Sequence, residues 1–352
     1  MDRMERTLSR IQSLDQRWFE WAKSDLDSLT KPPRSLGRLE EMAQRIVAIR
    51  EDRQPRVGRK VIFTMAGDHG VVAEGVSAFP QAVTPQMVLN FLHGGAAINV
   101  LAQHVGAEVI ISDIGVATDL APHPQLHISK VGYGTQNMAR GPAMTREQAV
   151  QCICSGMELF EEAHRDRPIS LVGTGEMGIG NTTPSSAIVS VFTGEPADQV
   201  TGLGTGIDDR TWARKVRVVE QAISINRPDP ADALDVLTKV GGFEIGAIAG
   251  TVLAGATHRV PVVIDGFIST AGALVAAALK PEVTQYLFAG HRSVEVGHRV
   301  ALQKLGLRPV LDMDLRLGEG TGAVLAMSVL DAAVKILTEM ATFEDAGVSG
   351  KL

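Results

Sequence analysis

Aromatic residues are scarce in this sequence, at 4% of 352, and cysteine occurs only twice. Few aromatics leave little for stacking nucleobases. Asp and Glu outnumber Lys and Arg by 40 to 34, a net charge of −6, so no basic excess exists to coat a phosphate backbone. Nucleic acid is therefore not expected as a partner. Cys152 and Cys154 stand two apart in a helical pattern, which points their side chains apart. They suit neither a disulfide framework nor a four-ligand zinc site, and are read as reduced. Long apolar runs are lacking too. The most apolar stretches, 245–257 and 266–279, fall short of the roughly 18–20 residues of a membrane span, and Arg259 and Asp265 lie between them. They are expected to be buried helices. The charged start, Met1-Asp-Arg-Met-Glu-Arg6, leads into no apolar run, so no secretory leader is expected. A cytoplasmic protein with no membrane partner follows.

What is present is the composition of a globular protein, 45% hydrophobic and 21% charged, long enough for roughly two domains. Residues 1–55 read as helical and charged, with Ser35 placed to cap a helix from about Leu36 to Arg50. From Lys60 onward short apolar runs alternate with helical patterns. Val61–Met65, Val109–Ile114, Ile169–Val172 and Val262–Ile264 are candidate strands. Thr84-Pro85 reads as a helix cap, Thr145-Arg-Glu-Gln148 as a capping box opening a helix to about His164, and Ser269 as the start of a helix to Leu279. A last helix runs from about Thr321 to Met340, and the final ten residues are expected to be loosely held. Such alternation predicts an α/β domain with a mostly parallel sheet.

Glycine is in excess, 36 of 352 against a usual share of about 7%. It gathers in four places: 66–71, 173–183, 202–206 and 318–322. In parallel sheets the segments after the strands bind ligands, and glycine lets backbone amides approach an anion there. Phosphate or nucleotide handling is the expectation. Gly173, Gly175 and Gly178 formally make G-x-G-x-x-G, but Glu195, the acid near the right distance, sits in a turn sequence, which disfavours a dinucleotide fold. Glu319 lies between two glycines at the head of the last helix. Its bland role is an acid in the first helical turn; its sharper one is a general base. Asp68-His69 has no third ligand at metal spacing and reads as structural. Lys215 shares a helical pattern with Arg210 and Arg214 and reads equally as solvated face or phosphate ligand. Phe79, Pro80, Met87 and Leu89 form an apolar patch, suited to a core or to the wall of a flat ligand.

The segments Lys31-Pro-Pro-Arg-Ser-Leu-Gly-Arg-Leu-Glu40, Gly67-Asp-His-Gly-Val71 and Gly94-Gly-Ala-Ala-Ile-Asn99 resemble one known family. Gly175-Glu-Met-Gly-Ile-Gly-Asn-Thr-Thr183, Lys239-Val-Gly-Gly-Phe-Glu244, Val263-Ile-Asp-Gly-Phe267 and Arg316-Leu-Gly-Glu-Gly-Thr-Gly322 extend the resemblance. The family is the nicotinate-nucleotide–dimethylbenzimidazole phosphoribosyltransferases, and the likeness covers about residues 30–330. It implies a large α/β domain over 56–324 with a Rossmann-like sheet, a small helical domain from 1–55 plus about 325–352, and a homodimer.

The implied reaction moves the 5-phosphoribosyl group from nicotinate mononucleotide to 5,6-dimethylbenzimidazole. The products are α-ribazole 5′-phosphate and nicotinate, and the step belongs to assembly of the nucleotide loop of cobalamin. No cofactor and no metal is expected. By the same resemblance Glu319 is the proton acceptor and Glu176 lies in the active site. Lys215 and the loop containing Gly175, Gly178, Gly180 and Asn181 surround the phosphate. Phe79, Pro80, Met87 and Leu317 line the benzimidazole pocket, while Asp265 and Ser293 face the nucleotide. Two positions depart from the family: Arg34 replaces a usual glycine and Val296 a usual proline. Apolar walls accept many flat rings, so a purine, another benzimidazole or a phenol remains an alternative acceptor. A non-catalytic nucleotide-binding homologue is the remaining alternative.

Overall fold

The short apolar runs become interior strands of one parallel sheet. The computed structural model describes residues 2–204 and 206–349. Thr205 of the third glycine cluster, Met1 and the last three residues of the expected loose end lie outside the described residues. Six strands form the sheet: β1 (Lys60–Gly67), β2 (Ala107–Gly115), β3 (Leu126–Ile128), β4 (Leu171–Met177), β5 (Val262–Ile264) and β6 (Leu287–Ala289). Their order is β3-β2-β1-β4-β5-β6 and every pairing is parallel, a Rossmann-like α/β arrangement. The chain leaves β1 toward one side for β2 and β3 and returns to its other side for β4. The crevice between the β1 and β4 ends is therefore the topological switch point, where such sheets bind ligands.

The four strands expected from the apolar runs are present; β3 and β6, three residues each, are additional. β4 also differs. It begins at Leu171 and runs through Gly173, Gly175 and Glu176 to Met177, so half of the second glycine cluster lies in the strand and not after it. The capping box at Thr145 opens Arg146–Asp166, with Thr145 and Gln148 bonded reciprocally. Two other caps are corrected. The helix Arg38–Arg50 follows Gly37, whose φ is 52°, while Ser35 lies in the preceding turn; the Glu40 carboxylate takes the Leu36 N–H and pairs with Lys31 at 2.8 Å. The helix Val83–Leu92 starts before Thr84, which is buried and accepts the Ile179 N–H. The helix expected from Ser269 starts at Phe267.

Both family departures have a local reading. Arg34 has φ 62°, the left-handed region where glycine is unstrained. Val296 is the first residue of Val296–Leu305, the helical position that favours proline.

Apolar helices cover the sheet. Phe243–Thr257 is buried along its whole length, and Phe267–Leu279 is buried from Phe267 to Ala276. Among the described helices, Thr321–Glu339 is long and apolar enough to cross a membrane, but it packs against β1, β4, β5, Ala97–Val105 and Arg38–Arg50. An antiparallel bridge between Leu29 and Thr342 ties the two chain ends together.

The tightest packing is between Arg146–Asp166 and Phe243–Thr257. A β-carbon on Gly250 would lie 1.9 Å from the Ile153 carbonyl oxygen, and one on Gly156 equally close to that of Ala247. These helices meet backbone to backbone, which forces them apart if either glycine gains a side chain. Gly250→Ala is expected to lower stability by about 1–3 kcal/mol, as overpacking does. A urea melt checks it: an unchanged midpoint contradicts the close approach.

Candidate active site

Because all strands run the same way, β1, β4, β5 and β6 end at one edge of the sheet. A cleft of about 220 Å³ opens there. Its walls come from the end of β4 and the turn after it (Glu176, Met177, Gly178, Ile179, Asn181, Thr182), the segment after β5 (Gly266, Phe267, Ile268), the segment after β6 (His291, Ser293, Glu295) and the loop Arg316–Glu319. Phe79, Val83, Met87 and Gly204 complete it.

Glu319 sits at the inner end of this cleft, 6% exposed. It is held in a strained form: Gly318, Glu319 and Gly320 have φ of 88°, 63° and 99°, and for a glutamate the left-handed region costs about 1–2 kcal/mol. Five hydrogen bonds fix it and its loop. Thr64 Oγ1 donates to the Glu319 carbonyl at 3.1 Å, and the Ile98 N–H donates to Glu319 Oε2 at 3.2 Å. Asp265, just beyond β5, accepts the N–H groups of Gly320, Gly322 and Ala323 at 3.1, 2.7 and 2.9 Å. Gly175 lies directly beneath: a β-carbon there would be 2.2 Å from the Glu319 carbonyl oxygen. Burial raises the Glu319 pKa, the Ile98 N–H lowers it, the Asp265 carboxylate raises it, and the outcome is a carboxyl above its ordinary value. Ile98 belongs to the first turn of Ala97–Val105, so a helix N-terminus faces the carboxylate. That helix is not the one Glu319 precedes in the chain.

Glu176, at the end of β4, presses on the same loop; a β-carbon on Gly318 would be 2.2 Å from Glu176 Oε1. Burial pushes its pKa up to about 8, with help from the carboxylates of Asp265, Glu244 and Glu319 and against a hydrogen bond donated by Asn181 Nδ2. Glu176 therefore carries a proton at neutral pH. Lys215, from Asp209–Asn226, is 1% exposed and lies behind the wall, donating to Thr182 Oγ1 at 2.8 Å and to the Gly202 carbonyl at 3.3 Å. Burial lowers its pKa to about 8, although Glu295 opposes the shift.

Of the residues expected from the sequence, Glu319, Glu176, Gly178, Asn181, Ser293, Phe79, Met87 and Leu317 line the cleft. Gly175, Gly180, Lys215, Asp265 and Pro80 do not. Asp265 has its oxygens turned to the loop that carries Glu319, Lys215 supports the wall from behind, and Gly175 makes room for Glu319. Phe79 and Leu317 form an exposed apolar rim, at 49% and 58%. His291 and Glu295 were missed because β6, which leads into them, is too short to carry a strand pattern. Asp68 and His69 are buried below the site: His69 Nε2 meets Glu244 Oε1 at 2.8 Å and Asp68 Oδ2 accepts the Ala117 N–H. Among the described residues no cluster of three or more His, Cys, Asp or Glu side chains could hold a metal ion.

A family model described as Phosphoribosyltransferase matches residues 11–348. The chain is 60% identical over 342 residues, 97% of each chain, to the nicotinate-nucleotide–dimethylbenzimidazole phosphoribosyltransferase of Geobacter sulfurreducens. To the protein of the same name from Geotalea uraniireducens it is 57% identical over 349 residues, 99% of each. The crystal structure of that enzyme from Thermus thermophilus superposes with a TM-score of 0.91 at 48% identity, covering 96% of this chain and 100% of the other.

Glu176 binds a proton up to about pH 8 when folded but only to its ordinary 4.5 when unfolded. Its ionisation therefore lowers stability as pH rises between those values. Glu176→Gln is expected to remove that decline, so its urea midpoint gains on the wild type more at about pH 8.5 than at about pH 5. An equal difference at both pH values contradicts the buried, protonated acid.

Proposed function

The chain belongs to the nicotinate-nucleotide–dimethylbenzimidazole phosphoribosyltransferase family, and from that premise we propose that it moves the 5-phosphoribosyl group of nicotinate mononucleotide to 5,6-dimethylbenzimidazole, with Glu319 as proton acceptor. The observation that carries this reading is the Glu319 carboxyl, raised above its ordinary pKa and fixed at the cleft beside the apolar side chains of Phe79, Met87 and Leu317.

The chemistry asks little else of the protein. C1′ of the ribose is bonded to a cationic pyridinium nitrogen. When that bond breaks, its electron pair makes the nitrogen neutral, so the leaving group takes no proton. One nitrogen of the benzimidazole forms the new bond to C1′ while the other loses its proton to Glu319. Attack opposite the leaving group inverts C1′ from β to α. Alignment of two flat rings across the sugar supplies much of the rate. The turn 178–182, with Lys215 behind Thr182, is our phosphate seat, since it opens Thr182–Thr193 at its N-terminus. Ser293, in the cleft wall, meets the nucleotide in this reading, and Asp265 acts through the loop it holds. A role for Pro80 at the outer rim beside Phe79 is retained in the proposal.

The same reading takes the protein as a cytoplasmic homodimer, with a small helical domain from residues 1–55 and about 325–352. Two unpaired thiols suit a reducing compartment, and exposed Leu203, Val294 and Val296 beside the cleft suit a covered face.

Incubation with nicotinate mononucleotide and a panel of bases, followed by mass spectrometry, is expected to give the ribazole phosphate and free nicotinate; no ribosylated base would overturn the reading. Glu319→Gln is expected to keep ligand affinity and lose about 10²–10⁴-fold in kcat, and near-normal turnover would remove Glu319 as the base. Lys215→Ala is expected to weaken nucleotide binding about tenfold or more with a smaller effect on kcat, as calorimetry and steady-state rates report.

A further inference from the structure

Arg316 is the one Arg or Lys side chain among the described residues lining the cleft, whose acidic side chains are Glu176, Glu295 and Glu319. It forms no ion pair among the described residues. Its Nη1 donates to the Gly204 carbonyl at 3.3 Å, a long bond for a guanidinium. Lys215 reaches the same segment from the other side: its Nζ bonds the Gly202 carbonyl and lies 3.3 Å from where a β-carbon on Gly204 would be. The 202–204 segment is thus held between two cations, one buried and one exposed.

We propose that Arg316 is the second cation of the nucleotide's phosphate seat, closing from the open side of the 202–204 segment while Lys215 supports it from behind. The proposal rests on the phosphoribosyl transfer above. A phosphate dianion entering a cleft that also holds the carboxyls of Glu295 and Glu319, beside a neutral Glu176, needs more positive charge than one lysine supplies, and that lysine titrates near pH 8. A guanidinium is always charged, and its planar fork matches two phosphate oxygens. The neutral carbonyl that Arg316 touches is a weaker acceptor than a phosphate oxygen, so the exchange is favourable. An exposed guanidinium also gives up little on meeting the ligand. Only Leu317 and Gly318 separate Arg316 from Glu319, so the hand that holds the phosphate belongs to the loop that carries the base.

The test is calorimetric titration of wild type, R316Q and R316K with nicotinate mononucleotide, nicotinate riboside and inorganic phosphate. R316Q is expected to bind the mononucleotide about tenfold to a hundredfold more weakly and the riboside as the wild type does, with R316K recovering part of the loss. Mononucleotide affinity within about twofold of wild type overturns the proposal. An equal loss for both nicotinate ligands overturns it as well, by assigning Arg316 to the pyridine carboxylate or to loop support. If the wild type binds phosphate but neither nicotinate ligand, the transfer reading fails, and a loss of phosphate affinity in R316Q still upholds the seat. If the wild type binds none of the three, both fall.

Discussion

The Asp265 carboxylate is the fastening on which the site depends. Three backbone N–H groups converge on it, and hydrogen bonds to a charged acceptor are worth about 1.5–3 kcal/mol each. That outweighs the about 1–2 kcal/mol of holding Glu319 at positive φ. Without the fastening, the Gly318-Glu319-Gly320 segment has the conformational freedom of its two glycines and no reason to present a carboxyl to the cleft. Asp265 is in turn available because β5 ends at Ile264, and β5 ends there because every strand of a parallel sheet delivers its carboxyl end to one edge. The order of cause runs from apolar runs to sheet, from sheet edge to Asp265, and from Asp265 to the position of Glu319.

Glu176 and Glu319 show how one residue type is given two states in one cleft. Glu176 is enclosed among other carboxylates and stays protonated to about pH 8. Glu319 has the Ile98 N–H and a helix N-terminus against its carboxylate, and its shift upward is correspondingly opposed. Environments that separate two acids in this way leave one as a neutral hydrogen-bonding group and the other more readily ionised. The protonated Glu176 also matters for charge. A cleft that presented every one of its carboxyls as an anion would repel a phosphate, whereas a neutral Glu176 removes one of those charges without removing its hydrogen-bonding oxygens.

Much of this was legible in the sequence where the signal is local. The interior strands announce themselves as apolar runs, and the box Thr145 to Gln148 needs no information beyond four residues. β3 and β6 failed because three residues carry no periodicity, and with β6 went His291 and Glu295. Ser35 and Thr84 failed as caps because a cap residue is recognised by type, while the actual helix starts were decided by Gly37 in a left-handed turn and by a buried bond from Ile179. Glu319 was conspicuous between its glycines. What sets its place and its raised pKa was not, because Ile98 and Asp265 lie far away in sequence and meet its loop only in the folded chain.

The glycine excess had suggested turns, yet its most demanding members turn nothing. Gly175 lies inside β4, and Gly156 and Gly250 lie inside helices, all in ordinary extended or helical backbone. Each is small because another backbone passes within a distance that a methyl group forbids. At Gly175 the passing backbone is that of Glu319, so the smallness of one residue sets how deep that glutamate can sit. A larger residue there would lift the carboxyl toward solvent, weaken the burial that raises its pKa, and move it from the Ile98 N–H in the same step. Composition counts such residues with the turn formers; only the neighbour across the gap tells which constraint each one answers.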